Sequence, residues 1–324
     1  MIALVLAASA GTPERVPIDV EAHALALAWS ADGEKLAVQV GDMDRHSGLW
    51  AGPPGELVRV TMPGSSPFAT HPHYAHPVWH CEGSLVFEGR HEGSASRLYF
   101  VVMSAGYELL SVDRVQGDLA YPTIGPGGRL AFVGGEQADV MAYGTSEPPQ
   151  APVTPLTHTA AQEAWPAWDV GDARVAFARG KGDLDIWVRE ADGKEVEVAV
   201  RPGVQTRPAF DAAGRVVYLQ QRDAAWDLLV EDGSGPKVLA SDVRLPTARL
   251  ALTPERDAVI VAPGRGEVSV LRVVPTDGGP VRELRTGLVA VGDPAVVGGA
   301  RPRVAFTALP EATATWRAAW IMDL

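Results

Sequence analysis

Short apolar runs alternate with polar turns along almost the whole chain, and the alternation repeats. A bulky apolar residue is followed by a turn rich in Gly and Asp and then by a run such as Leu-Ala-Val. One copy reads Trp29-Ser30-Ala31-Asp32-Gly33-Glu34-Lys35-Leu36-Ala37-Val38, and another reads Trp168-Asp169-Val170-Gly171-Asp172-Ala173-Arg174-Val175-Ala176-Phe177. The bulky anchors are Trp29, Trp79, Ile124, Trp168, Phe210, Leu252 and Val296, separated by 50, 45, 44, 42, 42 and 44 residues. A period in the low forties written in strand-like pieces predicts a β-propeller with one four-stranded antiparallel blade per copy, hence an all-β, seven-bladed ring.

Within a copy the strands follow as A, B, C and D, and the fourth copy shows the grammar. Strand A is Trp165-Pro166-Ala167-Trp168, and the turn Asp169–Asp172 supplies a residue that tolerates positive φ. Strand B, Arg174–Ala178, alternates polar and apolar residues, as a half-buried strand does. Strand C is Asp185–Val188. Strand D, Glu195–Val198, alternates charge with Val, which suits an outer edge. Asp232-Gly233 and Asp277-Gly278 read as C–D turns, flanked by Pro236 and Pro280. Pro148 to Pro155 reads as a longer C–D excursion of the third copy.

The seventh copy lacks a strand D: its strand A is Pro294–Val296, its strand B Val304–Phe306 and its strand C Trp316–Met322, and the sequence ends at Leu324. At the other end, Arg15-Val16-Pro17-Ile18-Asp19-Val20 alternates like the other D strands. It is expected to cross over and complete the last blade, which removes an open sheet edge. Residues 12–324 then form one propeller domain. Residues 1–11 are apolar and end in Ala8-Ser9-Ala10, a small-residue cleavage pattern, and read as a signal segment, truncated because no basic residue precedes the run.

Composition changes the picture in a few places. Hydrophobic residues make up 46% and charged ones 21%, a globular balance. Net charge is −12, which argues against a nucleic-acid binder, since that function needs a basic patch. No run approaches the 18 or so apolar residues of a membrane span. The 24 Arg against 4 Lys read as composition bias. Cys81, alone, forms no intrachain disulfide and is a weak nucleophile candidate.

The copies Ala28-Trp29-Ser30-Ala31-Asp32-Gly33, Pro166-Ala167-Trp168-Asp169 and Pro208-Ala209-Phe210-Asp211-Ala212-Ala213-Gly214 resemble the repeat of TolB-type β-propellers. Leu184-Asp185-Ile186-Trp187 and Trp226-Asp227-Leu228-Leu229 resemble that family's strand C. The resemblance covers about residues 15–324 and rests on turn and core positions. It implies a periplasmic or secreted protein that binds other macromolecules. TolB itself has six blades and an extra N-terminal domain, whereas seven copies are written here. Similar repeats occur in the propellers of prolyl-oligopeptidase-like peptidases and in oligogalacturonate lyases. The first of these requires a hydrolase domain and a Gly-x-Ser-x-Gly elbow, and neither is found.

In a propeller the A strands line the axis, and the residue before each Pro-x-anchor triplet falls at the mouth where the D–A connections open. The seven copies place Ala26, His76, Tyr121, Trp165, Arg207, Arg249 and Asp293 there. The last six form the candidate site, suited to a polar ligand or a partner's side chain; alternatively they seal the channel. Four of the eight His fall in residues 71–80, so His71, His73 and His76 are metal candidates. Asp42 and Asp44 resemble a calcium loop only faintly, because the terminal Glu is missing. The expected function is a monomeric, non-catalytic module that binds a protein or an envelope glycan through the channel mouth. The loops Gly89–Arg97 and Leu309–Thr315 would contribute to the surface, and no cofactor is expected. The alternative is a carbohydrate-active enzyme, a polysaccharide lyase or hydrolase, working in the axial funnel.

Overall fold

The computed structural model describes residues 11–18, 20, 22–41, 47–60, 73–80, 83–90, 94–102, 108–111, 115–143, 152–264 and 269–324. Residues 1–10, where a signal segment is expected, His71, Cys81, His91, the Asp42–His46 stretch and residues 148–151 of the expected proline excursion lie outside the described residues, whereas Val153–Pro155 is not loop but the outer strand of blade 3. Seven blades follow one another around an axis. Blade 4 shows the plan: strands Gln162–Trp168, Val175–Lys181, Asp183–Arg189 and Glu195–Ala199 pair antiparallel in that order, with Gln162–Trp168 innermost. Blade 1 begins at His23, blade 2 at His73, blade 3 at Ala120, blade 5 at Gln205, blade 6 at Ala251 and blade 7 at Val289. Blades 1 and 2 also touch through one parallel bridge, Ser47 to His73.

The ring closes as the sequence anticipates, three residues wide. Glu14–Arg15 pairs antiparallel with Trp320–Ile321 on the outer edge of blade 7, and Val16 N–H donates to the Ala319 carbonyl at 2.9 Å. Pairing stops at Pro17, which has no N–H to give, so Ile18 and Val20 of the expected strand are not part of it. Val16 is buried in the core between blades 7 and 1, beside Trp29, Val297 and Ala319.

Blade faces bury their apolar residues against the neighbouring blade, giving seven interface cores among the described residues. Ala131, Ala142, Trp168 and Phe177 join blades 3 and 4. Ala178, Val188, Phe210 and Tyr218 join blades 4 and 5. Leu27, Trp29, Val297 and Ala305 join blades 1 and 7. The aromatic anchors therefore face backwards: each packs on the blade before it.

A cation just ahead of strand B then latches forward onto the next blade. The Arg174 guanidinium carbon lies 4.8 Å from the centroid of the Phe210 ring, and its Nη2 donates to the Gly214 carbonyl at 3.2 Å. Arg129 lies 4.4 Å over Trp168 and donates to the Asp172 carbonyl at 2.8 Å. Arg303 lies 4.5 Å over Trp29 and donates to the Gly33 carbonyl. In each case the acceptor residue sits at positive φ in the A–B turn, which tips its carbonyl towards the incoming donor. A planar guanidinium can stack and donate at once, which an ammonium does less well. Part of the arginine excess is thus structural, in addition to any composition bias.

Candidate functional site

All six residues expected at the mouth meet around the axis. The His76 and Tyr121 rings lie 5.3 Å apart, His76 and Trp165 5.0 Å, and Tyr121 and Trp165 4.2 Å between centroids. The Arg207 guanidinium carbon is 3.2 Å from the centre of the Trp165 ring, and that of Arg249 is 6.0 Å from it. Arg249 crosses the axis from blade 6 and donates to three carbonyls of blades 3 and 4: Pro166 at 2.5 Å, Tyr121 at 2.8 Å and Pro122 at 2.9 Å. Asp293 is buried, accepting from Thr247 N–H at 2.7 Å and from the Thr307 hydroxyl at 3.2 Å. Ala26, the seventh position, is buried on the same rim.

A local backbone device presents these side chains. His76, Tyr121, Trp165, Arg207 and Asp293 have φ of 51°, 55°, 57°, 56° and 44°. Each sits in a β-bulge, where the register of strand A slips against strand B. Each is followed by a Pro, which cannot bond into the ladder and steers the preceding residue away from the right-handed helical region. The two copies that lack the Pro, Ala26-Leu27 and Arg249-Leu250, lack the positive φ. The triplet was visible in the sequence, but its conformational consequence was not.

One further acidic group completes the rim. Glu88, on strand B of blade 2, holds His76 Nδ1 at 2.9 Å and accepts from Tyr121 N–H at 3.4 Å. Sequence reasoning missed Glu88 because nothing in its register marks it; only the pairing of Ala75 with Glu88 sets it beside the bulge. Burial, with Glu88 next to it, raises the Tyr121 phenol. Burial pushes Arg207 down to about 10, against the pull of Tyr121 and Asp293. Burial and the neighbouring Arg207 push Arg249 down to about 9.

Beneath the rim the axis is hollow. A cavity of about 400 Å³ runs from Pro246 and Ala248 on the D–A side to Thr253, Pro254 and Arg256 at an A–B turn. The residue before each anchor lines it: Ala28, Val78, Thr123, Ala167, Ala209, Ala251 and Ala295. These small side chains hold the channel open, a signal present in the repeat and not used in reading it. The described metal candidates, His73 and His76, are each held by another partner. His73 Nδ1 is 2.9 Å from the Ser47 hydroxyl and His76 is held by Glu88, while His80 Nε2 meets the Gly128 carbonyl at 2.9 Å. Among the described residues, no group of three or more His, Cys, Asp or Glu is placed to hold a metal ion. No helix among them is long and apolar enough to cross a membrane.

No family model matches the chain, and no curated protein matches it in sequence. Solved structures do match in shape. An oligogalacturonate lyase in complex with manganese is 14% identical with a TM-score of 0.67, over 98% of this chain and 94% of that one. A virginiamycin B lyase from Staphylococcus aureus, a catalytically inactive His-to-Ala variant with quinupristin, is 11% identical with a TM-score of 0.62, over 97% and 99%. TolB from Acinetobacter baumannii is 14% identical with a TM-score of 0.50, over 81% of this chain and 63% of its own length. The chain is a seven-bladed β-propeller, similar in structure to these lyase and TolB propellers at low sequence identity.

Proposed function

We propose that the protein is a non-catalytic binding module that docks a protein partner, or an envelope glycan, on the D–A mouth of its channel. One observation carries the reading. Five non-glycine residues, His76, Tyr121, Trp165, Arg207 and Asp293, are held at positive φ around one opening. Each such residue costs about 1 kcal/mol or more, and glycine would hold the same backbone without that cost. The side chains retained are aromatic, basic and acidic, the mixture that anchors partners. The resemblance to TolB-type repeats favours a partner met in the periplasm or outside the cell.

The test is capture from the native envelope fraction with wild type and a His76→Ala/Arg207→Ala variant, melting curves being recorded for both. Loss of at least one partner from a folded variant is expected. Equal recovery of every partner would remove the mouth from the proposal.

A second reading is favoured by the His76–Glu88 pair at 2.9 Å, an imidazole oriented by a carboxylate beside the funnel. In a polysaccharide lyase or hydrolase His76 would move the proton. Release of unsaturated sugar from a polysaccharide panel, abolished by His76→Ala, would replace the binding reading with this one.

A further inference from the structure

Two guanidinium groups converge beside the mouth with too little negative charge to answer them. Arg244 follows the outer strand of blade 5, Pro236–Val243, and Arg317 precedes the third strand of blade 7, Ala318–Asp323. D–A and B–C connections lie at the same end of antiparallel blades, so both residues belong to the mouth face. They meet over Gly292: a methyl group on that residue would lie 2.8 Å from Arg317 Nη1 and 3.4 Å from Arg244 Nε. The residue at this register, just before each mouth position, is Ala in four copies and Leu or Thr in two more, and the seventh has Gly. The φ of Gly292 is not in the left-handed region, so the backbone does not demand glycine there. The missing side chain makes room for the two cations.

Neither cation is matched. Arg244 is half-buried, and among the described residues its side chain makes no hydrogen bond and no ion pair. The Arg317 side chain is 16% exposed, and its Nη1 lies 3.5 Å from the Thr307 hydroxyl and 3.9 Å from Asp293 Oδ2. The Asp293 oxygens are already taken by Thr247 N–H and the Thr307 hydroxyl. Burial, with Arg244 beside it, lowers the Arg317 pKa against the pull of Asp293. Two positive charges thus face one negative charge in a half-dry place, a balance that one further carboxylate would close. A carboxylate has two oxygens to share between two planar forks, whereas a phosphate dianion would overshoot the charge beside Asp293.

We propose that Arg244 and Arg317 form a carboxylate-binding subsite at the blade 7 edge of the mouth, filled by an acidic side chain of the docked protein partner. The proposal rests on the reading of the mouth as a docking surface and names the chemistry that the partner brings. Arg317 lies just after the loop Leu309–Thr315, so the subsite extends that surface outward from Asp293, the mouth residue of blade 7. Arg249 does not serve in this way, because three backbone carbonyls already meet its N–H groups.

Propionate, the glutamate side chain cut free, is the probe, and propionamide is its neutral isostere. Each is titrated into the full chain at constant ionic strength. The Nε–H resonances of Arg244 and Arg317 are followed by NMR, assigned by their loss in Arg244→Gln and Arg317→Gln. Propionate should shift both along one saturating curve. Propionamide should bind about tenfold or more weakly, because hydrogen bonds to a charged group are lost. Arg244→Gln should weaken propionate binding, read at Arg317, by a similar factor. That substitution keeps the fold, since the guanidinium it removes bonds to nothing among the described residues. No saturating shift by about 50 mM propionate, where a site with a Kd near 5 mM is largely filled, would overturn the proposal. Undiminished binding to Arg244→Gln would do the same. Capture from the envelope fraction then decides the source of the carboxylate. An Arg244→Gln/Arg317→Gln chain should lose the partner that the His76→Ala/Arg207→Ala chain loses, and its full recovery would overturn the assignment to the partner. Should the His76→Ala/Arg207→Ala chain lose nothing, the docking reading fails by itself, and a saturating propionate shift keeps the subsite.

Discussion

Replacing Arg174 by Met tests whether the forward latch holds blade to blade. Met retains the apolar stem and removes the guanidinium. Three contributions go with it. The stacking over Phe210 is worth about 0.5–1 kcal/mol. The hydrogen bond to the Gly214 carbonyl is worth about 1.5 kcal/mol, as for a charged donor. The ion pair with Asp169 at 3.0 Å is partly buried and, sharing its guanidinium with the other two contacts, adds about 1 kcal/mol. The three share one group and overlap, so the expected loss is about 2–3 kcal/mol. With an unfolding entropy of about 2.1 cal/mol/K per residue, a chain of 324 residues changes by about 0.7 kcal/mol per kelvin. Calorimetry should therefore show a melt lowered by about 3–4 K. Arg174→Lys keeps the charge and loses the planar face, so it should fall between the two. Arg301→Met, at an exposed site, should move the melt by less than about 1 K. An Arg174→Met protein melting within 1 K or so of wild type would refute the latch. Acid offers a second check. Burial works against ionisation of Asp169, but the N–H groups of Arg174 and Ala173 and the Arg174 guanidinium outweigh it and hold the carboxyl below its ordinary 3.8. That stabilisation is complete above pH 3.8 and fades as pH falls through the folded-state value. The gap between wild type and Arg174→Met should shrink over that window.

Two further outcomes concern the ring. Deleting residues 12–21 removes the Glu14–Val16 pairing and the buried Val16, exposing the edge of blade 7; size exclusion should show association and the melt should fall, and an unchanged melting curve would refute closure by this strand. Asp172 occupies the positive-φ turn position that glycine holds in several other blades, with Oδ1 buried and unbonded, and burial raises its pKa. Its ionisation therefore opposes folding, a cost absent below pH 3.8 that grows as pH rises through the raised value. Asp172→Asn, which tolerates the same φ, should melt higher than wild type at neutral pH and equally in acid; equal melts at pH 7 would contradict this.

The repeat alone determined the blade number, the strand order and the closing strand. Each follows from local rules that every copy obeys: an anchor, a turn needing positive φ, and alternation with period two. The six mouth positions were legible for the same reason, since one register maps every copy onto the same place on the ring. What those residues do to one another was not legible. Tyr121, Trp165 and Arg249 are separated by 44 and 84 residues in the chain and touch only because blades 3, 4 and 6 face a common axis. Glu88 joins them through strand pairing, and the latch arginines find their carbonyls only once the next blade's turn is in place. Local pattern fixes the shape of a blade, because it acts through backbone geometry and burial of one face. The chemistry at the axis belongs to the closed ring, where side chains from distant copies share one low-dielectric space and set one another's charge and hydrogen bonding.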